Sequence, residues 1–403
     1  MLRLEDARQM VITQAERGKS APSTITKNVS DALGLVLAQE VRTDREYPPF
    51  DRSTRDGYAV RAGESGIGKS LRCVGEIKAG DTVTSALASG TCVQIMTGAA
   101  VPVGAEAVVM IEFTSRAGEF VHFQRETKPG QNIVPRGSEA GGGELALSPG
   151  SRLGFAELAI AAQVGAAQLL CYQKPRVAIL STGDEIVPIT ETPGPFHIRN
   201  SNGISLGAQV HLAGGEPVFL GNAGDRVEDL GAKIETGLRE DILVLSGGVS
   251  MGKYDLVESV LKSMGAEFYF DAVAIRPGKP AVFGRMRDKL VFGLPGNPVS
   301  TMVTFQLFVI PAIDVLSGAA ARPLPLMEAI LADALHEKGE LMHFLPAWIG
   351  WDSGRARVTA LKWHGSGDIG TLSKANCFLV VPPERQNIAQ GELVSVLPRW
   401  DVL

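Results

Sequence analysis

What this chain lacks excludes several large protein classes. Its four cysteines, Cys73, Cys92, Cys171 and Cys377, lie far apart and form no CxxC pair. That rules against a disulfide framework or a cysteine zinc site and suits a reducing compartment, so a cytoplasmic location is expected. The six histidines are scattered, with no HExxH. Lysine and arginine form no block and the net charge is −5, which disfavours a nucleic-acid groove or a polybasic membrane patch. The opening MLRLEDARQMVITQAERG mixes acids with apolar residues, unlike a secretory signal. The one candidate membrane span, residues 299–313, falls short of about 18 residues and contains Ser300, Thr301, Thr304, Gln306 and Pro311. Neither the GxGxxG fingerprint nor the GxxxxGK[ST] loop is present, so no NAD or Walker-type nucleotide site is expected.

What is present is a chain of 403 residues with 45% hydrophobic and 21% charged content, ordinary for globular domains with large cores. At about 100–200 residues per domain, two to four domains are expected. Leu4, Ala7, Met10, Val11 and Ala15 recur at helical spacing and predict an amphipathic first helix. Residues 71–147 read as short strands with glycine punctuation (LRCVGEI, TCVQIM, AEAVVMIE, FVHFQRE, GELAL), a small all-β unit. Residues 155–165, FAELAIAAQVG, predict a second helix. If that helix packs on the first, the N-terminal unit is discontinuous and the β-region is inserted in it. From Pro175 onward strands alternate with 10–15-residue helices, the pattern of a doubly wound α/β domain. After the proline-rich link at 322–325 alternating strands return, together with all four tryptophans, Trp348, Trp351, Trp363 and Trp400. The expected division is 1–47 plus 148–173, 48–147, 174–322 and 323–403.

Ligands of open α/β sheets sit at the carboxyl ends of the strands. Four glycine turns are expected there: Ser181-Thr182-Gly183-Asp184-Glu185, Ser246-Gly247-Gly248-Val249-Ser250, Arg276-Pro277-Gly278-Lys279-Pro280 and Leu294-Pro295-Gly296-Asn297-Pro298. Two supply hydroxyls and bare backbone, one supplies paired cations, and one opens a helix. In that last stretch, KLVFGLPGNPVSTMVTFQLFVI, Asn297 suits an N-cap and Pro298 the first helical position. A helix start with free N–H groups favours an anion, though such a turn also serves as plain architecture. Together the four turns describe a phosphate-scale anion site. Glu185, Asp225 and Asp255 follow strand ends closely, where a divalent cation would bridge them to phosphate oxygens; Asp225 and Asp255 also read as helix caps. Asp51, Arg52, Arg55 and Asp56 precede Gly57 in a loop that reads equally as a solvated charged surface. Thr97 ends a strand, as a hydroxyl donor or as a hairpin corner.

The stretches PPFDRSTRDGYAV, QIMTGAAVPVGAEAVVMIE, LSTGDE, LVLSGGVSMGKYD, IRPGKP and GLPGNPVS, with HGSGD and NCFLVV near the end, resemble the molybdopterin molybdenumtransferases. Their eukaryotic relative is the E domain of gephyrin. The resemblance implies a multidomain α/β plus β fold in an elongated homodimer. Its parts are a central doubly wound α/β domain, an inserted small β-domain, a discontinuous N-terminal domain and a C-terminal β-barrel-like domain. It implies insertion of molybdate into adenylylated molybdopterin with Mg²⁺, phosphoanhydride cleavage and AMP release, at a site between the α/β domain of one subunit and the β-insertion of the other. Molybdopterin adenylyltransferase and molybdoenzyme apoproteins are the partners it suggests.

The catalytic residues implied are Asp56, Thr97, Glu185, Asp225 and Asp255, with Asp225 and Asp255 as metal ligands. Substrate contacts are expected from Ser181, Thr182, Gly183, Ser246, Gly247, Gly248, Ser250, Arg276, Lys279, Pro295, Gly296, Asn297, Pro298 and Ser300. The chain departs from the family pattern at Val134-Pro135-Arg136-Gly137-Ser138-Glu139, where a cation is missing and Glu139 replaces an aspartate. It departs also at Ala272 and Arg276, where lysines are usual, and at Arg55, usually apolar. Two rivals are the related molybdopterin adenylyltransferase, which shares the α/β domain, and a non-catalytic scaffold of the same fold.

Overall fold

Side-chain alternation builds the central sheet. Val177, Ile179, Val244, Phe292 and Leu294 enter one core, while their neighbours Ala178, Leu180, Leu243, Leu245 and Val291 enter another. A strand alternates faces with period two, so apolar residues at consecutive positions require cover on both sides. The computed structural model, which describes residues 1–17, 23–248, 256–385 and 387–402, supplies that cover. Helices Leu4–Arg17, Ser201–Ala213 and the long helix from Pro298 contribute to the first core; Val227–Gly237 and Leu256–Ser263 contribute to the second.

The six strands run in the order Glu216–Ala223, Arg176–Thr182, Ile242–Ser246, Lys289–Leu294, Val282–Met286, Glu267–Phe270. The first four are parallel and the last two join antiparallel. From Arg176–Thr182 the chain first moves to the adjacent edge and then crosses back to Ile242–Ser246. The switch point therefore lies between Thr182 and Ser246, where a crevice is expected.

The helix Pro298–Leu316 is 19 residues long, and 89% of its most apolar window is buried within the protein. It exceeds the span expected from sequence and by length and composition could cross a membrane; here it is the spine of the first core. Residues Phe305–Val309 form a wider π turn just before Pro311. Proline offers no N–H to the carbonyl four residues back, which is Leu307. Arg8 fills the gap: its Nη1 donates to Leu307 O at 2.8 Å. The first helix thus packs on this spine, with Leu4, Ala7, Val11 and Ala15 in its core, so the condition that it packs on the helix Phe155–Gln163 is not met. That second helix buries Ala161 in a separate core with Ala32, Leu37 and Leu153.

The segments flanking the β-region meet through strands. Thr24–Asn28 pairs antiparallel with Gln168–Tyr172, and Val41–Arg42 pairs with Leu145–Leu147. Between them lies a six-stranded sheet in the order Ala107–Met110, Gly57–Val60, Thr91–Ile95, Ser70–Ile77, Phe120–Phe123, Thr114–Ala117. Gly57 is required there, because a Cβ would fall 1.9 Å from Val109 O. The C-terminal strands Met342–Asp352, Arg355–Ala360, Met327–Leu331, Leu393–Pro398 and Cys377–Val381 close back on Met342–Asp352 as a barrel. Leu345, Ala347, Val358, Leu379 and Val396 fill it. All four cysteines are free thiols. Burial pushes Cys92 and Cys377 up to about 12, which leaves them unreactive.

Candidate active site

At the switch point the strand ends open into a cleft of about 1060 Å³. Ser181, Thr182, Gly183, Glu185, Asp225, Ser246, Gly247, Gly248, Gly296, Asn297 and Pro298 line it, so eleven of the expected site residues share one wall system. The turns after Ile242–Ser246 and Lys289–Leu294 touch. Gly247 has φ +99° and donates its N–H to Leu294 O at 3.1 Å, and a Cβ on it would crowd Thr182 O at 2.7 Å. Only glycine lets these backbones approach so closely.

The helix start at Pro298 differs from expectation. Asn297 occupies the N-cap position without capping; its side chain donates instead to Ser366 Oγ at 2.9 Å. The Val299 N–H is taken by Ser366 O at 2.9 Å. Among the described residues the N–H groups of Asn297 and Ser300 have no partner. One of the groups expected to receive an anion is therefore occupied by the C-terminal domain, and Gly367 and Ile369 from the same loop complete the cleft wall. Asp368 shapes that loop by accepting from His364 N–H, Thr371 N–H and Thr371 Oγ, bonds that hold its carboxyl down at about 2.

The acids are disposed unequally. Asp225 precedes the true N-cap, Arg226, and does not cap that helix; its backbone N–H donates to Asp184 Oδ1 at 3.0 Å. Among the described residues neither Glu185 nor Asp225 has an ion-pair partner. Ser250 and Asp255 lie outside the described residues. Pro295 and Ser300 do not line the cleft: Pro295 O accepts from Thr301 Oγ1, and Ser300 O accepts from Thr304 Oγ1.

Arg276 and Lys279 are also absent from the cleft lining, and both are exposed. The reason is topological. Ile275–Arg276 pairs with Met342–His343 of the barrel sheet, so this turn does not follow a strand of the central sheet. Asp56 and Thr97 stand apart as well, on the inserted β-sheet. Asp56 Oδ1 accepts the Thr97 N–H at 2.6 Å and its hydroxyl at 2.8 Å. Those bonds, the backbone one first, hold the Asp56 carboxyl below the usual range and keep it ionised. Nearby, Glu139 pairs with Arg52 at 2.8 Å, so the glutamate at the departing position engages a cation of the Asp56 loop.

The sequence pattern does not single out the asparagines that hold the turns, of which Asn200 and Asn202 also line the cleft. Ser181 Oγ donates to Asn200 Oδ1, which also caps the helix Ser201–Ala213 through Gly203 N–H. Asn202 Nδ2 donates to Ser246 Oγ at 2.9 Å and Gly296 O at 2.8 Å. Asn222 Nδ2 donates to Gly183 O at 2.9 Å and is 3.3 Å from Ile186 O. Two of these, Asn200 and Asn202, stand at a helix start, which was the available signal.

Comparison with known proteins matches this architecture along the chain. The family of the MoeA N-terminal region (domain I and II) matches residues 2–165. The probable molybdopterin binding domain matches 178–315, and the MoeA C-terminal region (domain IV) matches 328–399. The molybdopterin molybdenumtransferase of Bacillus subtilis is 32% identical over 379 residues, covering 92% of this chain and 88% of its own. That of Nostoc sp. is 33% identical over 405 residues, covering 98% and 93%. The crystal structure of the molybdopterin biosynthesis MoeA protein from Pyrococcus horikoshii OT3 superposes with a TM-score of 0.81 at 27% identity, covering 99% of this chain and 100% of that one. The chain belongs to the molybdopterin molybdenumtransferase family, enzymes of molybdenum cofactor biosynthesis.

Proposed function

We propose that the cleft binds the phosphoanhydride of adenylylated molybdopterin, and that the enzyme inserts molybdate into the dithiolene while releasing AMP. The observation that carries this reading is the pairing, in one cleft, of two backbone turns with two carboxylates that have no cation partner among the described residues. N–H groups and hydroxyls receive the phosphate oxygens. Both carboxylates are exposed to solvent, and in this reading a cation that arrives with the substrate pairs with them. Mg²⁺ fits the donor set. Among the described residues no group of three or more His, Cys, Asp and Glu gathers as a metal cage, and Mg²⁺ needs only one or two carboxylates with waters and phosphate. Asp225 would hold it with Asp255 of the adjoining segment, and when bound it neutralises charge on the bridging phosphates.

Arg276 and Lys279, exposed and without a side-chain partner among the described residues, are the receptors for molybdate in this reading, beside the barrel and not on the cleft floor. Asp56, held ionised by Thr97, orients a proton donor or water. Because Asp56 and Thr97 lie off the cleft, the reading needs a second copy of the chain, whose β-insertion faces this cleft in a homodimer. The division into 1–47 plus 148–173, 48–147, 174–322 and 323–403 is supported by the strand pairs that join 24–28 to 168–172. A cytoplasmic location is supported by the free thiols. The test is AMP release from adenylylated molybdopterin with molybdate present or omitted. Molybdate- and Mg²⁺-dependent release supports the reading. Consumption of ATP with molybdopterin would point to adenylyl transfer, and a dimer without turnover to a scaffold.

A further inference from the structure

The two turns that face the cleft are each held by a neutral amide, Asn202 from the cleft wall itself and Asn222 from the edge strand outside the lining. Asn202 binds Gly296 O and Ser246 Oγ, and so ties the start of helix Ser201–Ala213 to the ends of two central strands. Asn222, on the edge strand, binds Gly183 O and approaches Ile186 O, the two ends of the turn that carries Glu185. In both residues the amide oxygen is buried and has no partner among the described residues. An idle buried acceptor costs free energy, so the side chain is retained for what its N–H groups do.

We infer that Asn202 and Asn222 are positioning residues, Asn202 for anion binding and Asn222 for the carboxylate of Glu185; this rests on the proposed function of the cleft. In a planar trans peptide the carbonyl and the following N–H point in opposite directions. Pinning Gly296 O on Asn202 therefore turns the Asn297 N–H to the far side of the peptide. That N–H has no partner among the described residues, and Asn297 lines the cleft. Pinning Gly183 O and Ile186 O fixes both ends of a short turn and with it the Glu185 backbone. A lysine or arginine would hold the same carbonyls but would compete for the phosphate. A neutral amide fixes the turns and adds no charge to a cleft already lined by Arg199, Glu185 and Asp225.

The two residues predict opposite kinetic signatures. Asn202→Leu, or Asn202→Ala should leucine not fold, removes the donor without adding charge. It raises KM for adenylylated molybdopterin and weakens inorganic pyrophosphate binding, measured by calorimetry on the full chain, by about tenfold each, with kcat within about threefold. Asn222→Leu, or Asn222→Ala, lowers kcat by about tenfold with KM within about threefold. Thermal midpoints near wild type accompany both results. Folded variants that keep wild-type KM, kcat and pyrophosphate affinity overturn the inference. So do variants in which kcat and KM worsen together in step with a lowered midpoint, the mark of a merely structural role. The pyrophosphate comparison decides the role of Asn202 even if AMP release fails, which by itself overturns only the proposed function.

Discussion

Two clusters of charge in this molecule are built in opposite ways. At the junction of the first helix, the N-terminal unit and the spine helix, Asp314 is fully buried and paired with Arg152 at 3.0 Å and Arg322 at 2.6 Å. Every guanidinium there also reaches a carbonyl: Arg8 on Leu307 O, Arg152 on Gly34 O, and Arg322 on Ala213 O. Burial pulls the Arg152 guanidinium below its ordinary pKa, with Arg322 adding to the effect and Asp314 opposing it. In the cleft the reverse holds, since Glu185 and Asp225 have no ion-pair partner among the described residues and N–H groups at the helix start stand idle. The junction spends its ionic capacity on holding segments together, and the cleft keeps its capacity for a ligand. In the proposed function the same residue types serve stability in one place and binding in the other.

The largest effects are expected at the junction. Asp314→Ala leaves two guanidiniums without their anion, and about 3 kcal/mol of stability should be lost by urea unfolding. The low end of the usual range applies because Arg152 and Arg322 keep 28% and 25% of their side-chain surface in water. Arg8→Met retains the packing and strands the Leu307 carbonyl, for a loss of about 2 kcal/mol in the same assay. Unchanged stability in both variants would mean that the junction is not a structural clamp. In the cleft, Asp225→Asn should leave urea unfolding unchanged and lower AMP release by at least about tenfold, equal to about 1.4 kcal/mol of barrier. A loss of stability there in place of activity would erase the contrast. The smallest effect concerns Asp368. Its carboxyl is depressed to about 2, so the stability it lends its loop is present above the ordinary aspartate value and is lost as pH falls through about 2. The fluorescence of Trp363, next in the chain to His364, whose N–H bonds Asp368, should change in that window in wild type and not in Asp368→Asn.

Much of the α/β unit was legible in sequence, because period-two burial and glycine turns act over a few residues. The strand ends at Thr182, Ser246 and Leu294 were recovered in this way, and with them most of the cleft. The turn at Arg276–Lys279 was misplaced for an equally physical reason. A glycine turn does not announce which sheet its strand joins, and Ile275–Arg276 joins the barrel. Ser366 lies within the HGSGD stretch, but its bonds, a carbonyl to the Val299 N–H and a hydroxyl to the Asn297 amide, reach a helix far away in sequence that no local pattern names. Asn202 and Asn222 act through single amides on distant backbone, a contact that no local pattern encodes. The partner of the first helix was left open by the sequence because its stripe of Leu4, Ala7, Val11 and Ala15 shows that a face is buried but not what buries it.

In the proposed function one catalytic site combines the cleft of one copy with Asp56 and Thr97 of another. Mixing two purified inactive variants, Asp56→Asn and Asp225→Asn, under conditions that allow exchange tests it most directly. Random pairing makes half the dimers mixed, each with one intact site, so AMP release should recover to about a quarter of the wild-type rate. Recovery of no activity from variants shown to exchange would contradict a site shared between two copies.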